Sequence, residues 1–243
     1  MIDVSDESYQ SVISDALFRP VRSGNAFEDT VARLLQTVRL GIVAPGAALP
    51  AERELAAKFS VSRDTVREAI RELADAGYLV SKRGRYGGTF VTDPLPVAVG
   101  APEPLDPVEI EDVLGLREIL ELGAARAAAA RTLSAAERDL LWTRLREAAA
   151  SSETDYRRLD SRLHLTIGEL VGVPSLVSLL ADNRTRVNEL LDRIPLLSTN
   201  IAHSNQQHES IVVAILTGDS DAAAAAMREH LDGSAALLRA FLG

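Results

Sequence analysis

Residues 49–91 read LPAERELAAKFSVSRDTVREAIRELADAGYLVSKRGRYGGTFV, and the spacing of their apolar residues decides the fold. Val66, Ala69, Ile70 and Leu73 recur at intervals of three and four, which puts them on one face of a helix. Arg63, Arg67 and Arg71 run in a row beside that stripe, so packing has no need of them. Ser62 stands where an N-cap belongs, with Thr65 three residues on, and the helix is predicted to run to Ala76 before Gly77 ends it. A shorter helix is predicted from near Pro50, a residue suited to the first helical turn, and buries Leu55, Ala56 and Phe59. The turn between the two helices falls at Ser60-Val61. Leu79-Val80 and Thr89-Phe90-Val91 read as two strands around RGRYGG, a hairpin.

Upstream, Phe27, Val31, Leu34, Leu35 and Val38 give one more helical stripe, stopped by Gly41 and Pro45-Gly46. Three helices followed by a basic hairpin make a winged helix-turn-helix over 27–92, and 1–26 is expected to be a loosely attached arm. Residues 93–107 hold Pro94, Pro96, Pro102, Pro104 and Pro107, which can neither continue a helix nor donate to a strand ladder, so a stiff linker is placed there. From 108 to 243 the pattern is helical throughout. Helices are predicted at about 108–131, 135–150 with a Ser134-Glu137 capping box, 153–171, 175–194, 199–217 and 220–242. This reads as an antiparallel all-α helical bundle, with Ala222 to Ala226 expected to allow close backbone approach. The fold class is therefore mainly α, in two domains.

Composition agrees. A chain of 243 residues is long enough for two separate cores. Hydrophobic residues make up 47% and aromatics only 4%, so Leu, Val, Ile and Ala must fill the cores, which favours helix. The absence of cysteine excludes a disulfide framework, a Cys-ligated zinc finger and a thiol nucleophile. The first residues, MIDVSDESYQSVISDALF, carry Asp3, Asp6, Glu7 and Asp15 where a signal peptide would be basic, and no apolar run is long enough to span a bilayer. A cytoplasmic protein without a membrane partner is expected. The net charge of -9 is unevenly spread. Between Phe27 and Thr92 ten bases face eight acids, whereas from Asp93 onward 14 bases face 23 acids, so the acidity belongs to the helical part.

Two sets of residues carry chemistry. In the first, Arg63 and Arg67 lie in the opening turns of a helix that would enter a major groove, and the arginine fork matches the two acceptors of guanine. Arg53 opens the preceding helix and can reach phosphate or a neighbouring base, while Thr65 and the amides near Ser62 suit phosphate. Lys82, Arg83 and Arg85 would follow the hairpin along the adjacent minor groove. The alternative is that the helical arginines only pair with Asp64, Glu68 and Glu72 on the surface. The second set is Asp160 and His164, four apart and so on one helix face, with His208 and His230 on later helices. One carboxylate and three imidazoles suit zinc first, and also manganese, nickel or iron(II), with positions left open for water or a bound acid. The alternative is that these are hydrogen-bonded core histidines. His203 has no comparable partner.

These motifs carry a resemblance. With LPAERELA, VSRDTVREAIREL and GGTFV in the first domain, and LREILELGAA, DSRLH, QHESIVVAI and MREHL in the second, the chain resembles GntR-family transcription regulators of the FadR subfamily. The likeness, to a winged helix-turn-helix joined to an FCD effector domain, covers about residues 27–240. It implies that Asp160, His164, His208 and His230 bind a divalent metal ion at the floor of a pocket that receives a small carboxylate, with His203 a spare or outer residue. It places Arg117 of LREILE facing that pocket; the alternative is a surface arginine paired with Glu121. It puts Arg53, Arg63 and Arg67 at base-reading positions and Gly84 at the glycine of the wing. The implied function is a homodimeric repressor on a palindromic double-stranded operator, released or strengthened by a small organic acid. A metal-responsive sensor is the first rival. A metal-dependent enzyme is the second, disfavoured because Glu169, the nearest acid on the Asp160 helix, lies more than two turns away and paired Glu-x-x-His motifs are absent.

Overall fold

The computed structural model describes residues 26–84, 87–96, 106–194 and 198–242. The arm at 1–25, Arg85 and most of the linker lie outside the described residues. The chain divides into two compact units, one on each side of that linker.

The first unit contains α1 (Ala26–Arg39), α2 (Glu52–Phe59), α3 (Arg63–Asp75), β1 (Leu79–Lys82) and β2 (Gly88–Val91). Its core is the one the apolar spacing demands: Leu34 and Val38 of α1, Leu55 and Phe59 of α2, and Val66, Ala69, Ile70 and Leu73 of α3, closed by Leu79 and Val91 of the hairpin. Ser60 takes a left-handed conformation at φ 57° and turns the chain between α2 and α3, while Gly77, at φ 84°, turns it from α3 into β1. The strands pair antiparallel, with Leu79 opposite Val91 and Lys82 opposite Gly88.

Pro50 does not open α2 as expected; the helix begins at Glu52 after Ala51. The cause is a pairing not visible in the sequence. Leu49 donates its amide to the Thr89 carbonyl at 2.8 Å and Val91 donates to Ala47 at 2.9 Å, with Ala48 bridged to Phe90. Residues 46–49 are thus committed to the outer edge of β2, which holds Pro50 extended ahead of the helix.

The second unit contains α4 (Pro107–Ala129), α5 (Ala135–Ala149), α6 (Tyr156–Leu170), α7 (Pro174–Leu191), α8 (Ser198–Thr217) and α9 (Ser220–Leu242). Asp106 caps α4 by accepting the Val108 amide at 2.9 Å, and Pro107 occupies the first turn, where its missing N–H is not needed. Ser134 and Glu137 form the expected capping box on α5: the Glu137 amide donates to Ser134 at 3.2 Å and the Ser134 amide to Glu137 at 2.7 Å.

Helix α4 is the axis of the unit, packing against α6, α7, α8 and α9. It lies antiparallel to α9, and surface ion pairs Glu111–Arg239, Glu118–Arg228 and Arg126–Asp221 mark that register. Helix α6 is buried from Asp160 through Leu170, so it presents no solvent face there. Within the run Ala222–Ala226, where close backbone approach is expected, Ala223 is fully buried and the others are partly or wholly exposed. A close contact lies at Gly168 of α6, where an added Cβ would meet the end of the Leu180 side chain of α7 and that side chain would have to shift.

Replacing Ser134 by Ala removes one half of the capping box and is expected to lower stability by about 1 kcal/mol. Denaturant unfolding checks this; a loss below about 0.3 kcal/mol would show that tertiary packing alone fixes the start of α5.

Candidate functional site

Asp160 and His164 lie one turn apart on α6, and α8 and α9 bring His208 and His230 against them. All four side chains are buried, and their ligand atoms lie within 4.8 Å of one another. Nε2 of His208 is 3.3 Å from Nε2 of His164, 3.3 Å from Nε2 of His230 and 3.3 Å from Oδ1 of Asp160. Nε2 of His164 is 3.6 Å from the same Asp160 oxygen. A tetrahedron with arms of about 2.0–2.1 Å has edges of about 3.3–3.4 Å, close to the three separations at His208, while the set as a whole spans up to 4.8 Å and would have to draw in to hold one ion.

The hydrogen bonding points the same way. Nδ1 of His230 sits 3.3 Å from the Gln207 carbonyl oxygen, which fixes its proton on that nitrogen. Nδ1 of His164 lies 2.5 Å from Oε2 of Glu121. The two atoms do not meet hydrogen-bond geometry, and a proton on Nδ1 would relieve the repulsion of two lone pairs at that distance. With protons on these two outer nitrogens, the Nε2 atoms of His164 and His230 would turn lone pairs inward. Nδ1 of His208 is buried without a hydrogen-bond partner. A cation at the focus would satisfy these converging donors.

Electrostatics favour the ligating form of three of the four donors, Asp160, His208 and His230. Burial alone would raise the Asp160 carboxyl, but Arg184 and His164 outweigh it and hold it well below the usual carboxylate range. Burial, reinforced by His208, His164 and Arg117, pushes His230 well below the ordinary imidazole value. His208 is lowered by burial despite the pull of Asp160, so both rings are neutral near pH 7. His164 moves the other way: burial opposes its charge, but Glu121 outweighs burial and raises it.

A second layer of buried charge surrounds the four. Arg184 is 0% exposed; its Nη2 donates to Oδ2 of Asp160 and its Nη1 lies 3.5 Å from Oε1 of Glu121. Arg117 donates through Nε to the same Glu121 oxygen at 3.2 Å and through Nη1 to Ser234 at 2.7 Å. The expected pairing of Arg117 with Glu121 is present, but inside the bundle rather than on its surface. His203 is exposed on α8, so it is not an outer partner of the cluster. Glu121, Arg184 and Gln207 take that place, and sequence reasoning assigned none of them to the cluster. The available signal was positional: Arg184 falls on the stripe of Val177, Leu180, Ala181 and Val187, where an apolar residue belongs.

The first unit presents the basic surface. Arg53, Arg63, Arg67, Arg71, Lys82 and Arg83 are all exposed, on the side of α3 away from its buried stripe and along the hairpin. Ser62 accepts the Thr65 amide at 3.0 Å and contacts its hydroxyl at 2.8 Å, fixing the start of α3. Arg67 pairs with Asp64 at 2.9 Å and Glu52 at 3.1 Å. The alternative reading of surface pairing is thus realised for Arg67, through exposed contacts that solvent screens. Gly84 has φ 108°, and Gly87 admits no side chain because a Cβ would lie 2.5 Å from the Lys82 carbonyl oxygen, so both glycines are needed at the tip.

Among the described residues no helix is long and apolar enough to cross a membrane. The gntR family of bacterial regulatory proteins matches residues 27–91, and the FCD domain matches residues 112–233. A putative L-lactate dehydrogenase operon regulatory protein of Escherichia coli is 30% identical over 229 residues, covering 87% of this chain and 84% of its own. The regulator LutR of Bacillus subtilis is 28% identical over 208 residues, covering 80% and 92%. The solved structure of E. coli McbR/YncC superposes with a TM-score of 0.55 at 18% identity, covering 88% of this chain and 97% of that one, a likeness of fold. These matches are to regulators rather than enzymes. A winged hairpin unit followed by an FCD helical unit, with a relative 30% identical along most of its length, makes this chain a member of the GntR family of transcription regulators.

Proposed function

We propose that the chain is a cytoplasmic, homodimeric repressor of the FadR subfamily, in which 27–92 read a palindromic operator and 108–243 bind a small organic acid at a metal centre, with 93–107 joining them. The observation that carries this reading is the convergence of three imidazole Nε2 atoms and one carboxylate oxygen in a buried site. Bound there, a divalent ion supplies a positive anchor for a carboxylate. Zinc fits the donor set first, and manganese, nickel or iron(II) also fit, with higher coordination numbers that leave more positions open.

The protein's own groups do the rest. The two guanidiniums of Arg117 and Arg184 are balanced by the carboxylates of Glu121 and Asp160, so an ion's charge is left for an incoming anion to neutralise. Arg117, held by Glu121 and Ser234, is the residue placed to meet that anion. A relative named for an L-lactate dehydrogenase operon makes short hydroxy acids the first compounds to test. In the reader, Arg63 and Arg67 address base edges with Arg53, Thr65 and Ser62 on the backbone, while Arg83, Gly84 and Arg85 form the wing. An acidic helical unit keeps DNA on the reader.

Two measurements test the reading. Arg63→Ala is expected to weaken specific operator binding by about 1–3 kcal/mol and to relax one operator position; unchanged affinity and specificity would take α3 out of the groove. Calorimetry with L-lactate, malate and gluconate, before and after chelation, is expected to show binding that vanishes with the metal. Acid binding that survives chelation contradicts the metal anchor, and DNA release by the ion alone would make the protein a metal sensor.

A further inference from the structure

The helix α7 supplies no ligand to the four-residue cluster, yet it places the most deeply buried cation of the chain against it. Arg184 reaches two carboxylates from opposite ends of one guanidinium. Its Nη2 donates to Oδ2 of Asp160 and, at 3.3 Å, faces Ser161 Oγ, while Nη1 faces Oε1 of Glu121 at 3.5 Å. Ser161 Oγ in turn accepts from Asn188 at 2.9 Å, one turn after Arg184 on α7. The other oxygen of each carboxylate has its own task. Oδ1 of Asp160 faces the histidine nitrogens at 3.3 and 3.6 Å, and Oε2 of Glu121 lies 2.5 Å from Nδ1 of His164.

We propose that Arg184 and Glu121 are positioning residues of the metal centre: Arg184 occupies Oδ2 of Asp160 and so limits that carboxylate to one donor oxygen, while Glu121 fixes His164 with its Nδ1 protonated and its Nε2 lone pair directed inward. The inference rests on the metal reading above and extends it. A carboxylate whose second oxygen is already bonded cannot chelate an ion through both, so coordination positions that Asp160 would otherwise fill stay available to an incoming acid. A guanidinium suits this because its planar fork spans two acceptors, and at 0% exposure it has no water with which to exchange them. The arrangement also ties three helices to one ion, since α4 carries Glu121, α6 carries Asp160 and His164, and α7 carries Arg184.

The test uses the full chain with Co(II) as probe, comparing wild type with Glu121→Gln and Arg184→Met. Glu121→Gln keeps the shape of the side chain but loses the charge that holds His164, and is expected to weaken Co(II) binding about 10–100-fold in competition with a chelator. Arg184→Met frees Oδ2 of Asp160, so Co(II) binding is retained or tightened while the visible d–d bands weaken as the coordination number rises. A merely structural role for Arg184 would not move that spectrum. Unchanged affinity in Glu121→Gln, or an unchanged spectrum in a folded Arg184→Met, overturns the inference while leaving the metal centre standing. Wild type that takes up no Co(II) overturns both. If Arg184→Met fails to fold even with Co(II), Glu121→Gln decides the matter alone, because its near-isosteric side chain leaves the packing of α4 intact.

Discussion

Two carboxylates, two guanidiniums and three imidazoles sit together inside a helical bundle, and the arrangement of the whole FCD unit follows from the need to satisfy them. Burying such groups singly would cost several kcal/mol each. Here the carboxylates and guanidiniums neutralise one another: Arg117 pairs with Glu121 one turn on along α4 and reaches Ser234 on α9, while Arg184 of α7 reaches Glu121 on α4 and Asp160 on α6. The charges balance without an ion, but the lone pairs on the imidazoles do not.

The helices are arranged to serve this centre. Helix α4 packs against the helices that carry Asp160 and the three buried histidines, and α6 is buried over its last eleven residues because a helix at the centre of a bundle has neighbours on every side. Gly168 allows α7 the close approach to α6 that brings Arg184 to Asp160 two turns away. In the reader unit the logic is the reverse. There the buried cluster is apolar apart from Thr30, Gln36 and Thr37 of α1, and the arginines of α2 and α3 point outward, as a surface that must meet a polyanion requires.

Much of this was legible in the sequence. The three-and-four spacing of Val66, Ala69, Ile70 and Leu73 gave α3, Ser62 and Ser134 gave helix starts, and the four-residue interval from Asp160 to His164 put two members of the buried cluster on one face. The pairing of residues 46–49 with β2 was not legible, because backbone ladders between distant segments leave little trace in side-chain pattern. Nor was the outer layer of the metal cluster. In ADNRTRVNEL the arginine of position 184 reads as one polar residue among many, and only its place on the apolar stripe of α7 marks it as buried. His203 and His208 lie on the same helix, and it was the neighbouring helices, not their spacing, that buried one and exposed the other.

The central claim is that an acid held at the metal centre changes the affinity of the reader for DNA. A double-stranded site selected from a random pool by the metal-loaded protein, labelled for fluorescence anisotropy, allows its direct test. With metal present, the effective hydroxy acid should shift the DNA dissociation constant by about 5–150-fold, the range of a coupling free energy of about 1–3 kcal/mol. After chelation the shift should vanish. A shift of equal size with and without metal, or none with any acid that calorimetry shows to bind, would contradict the account.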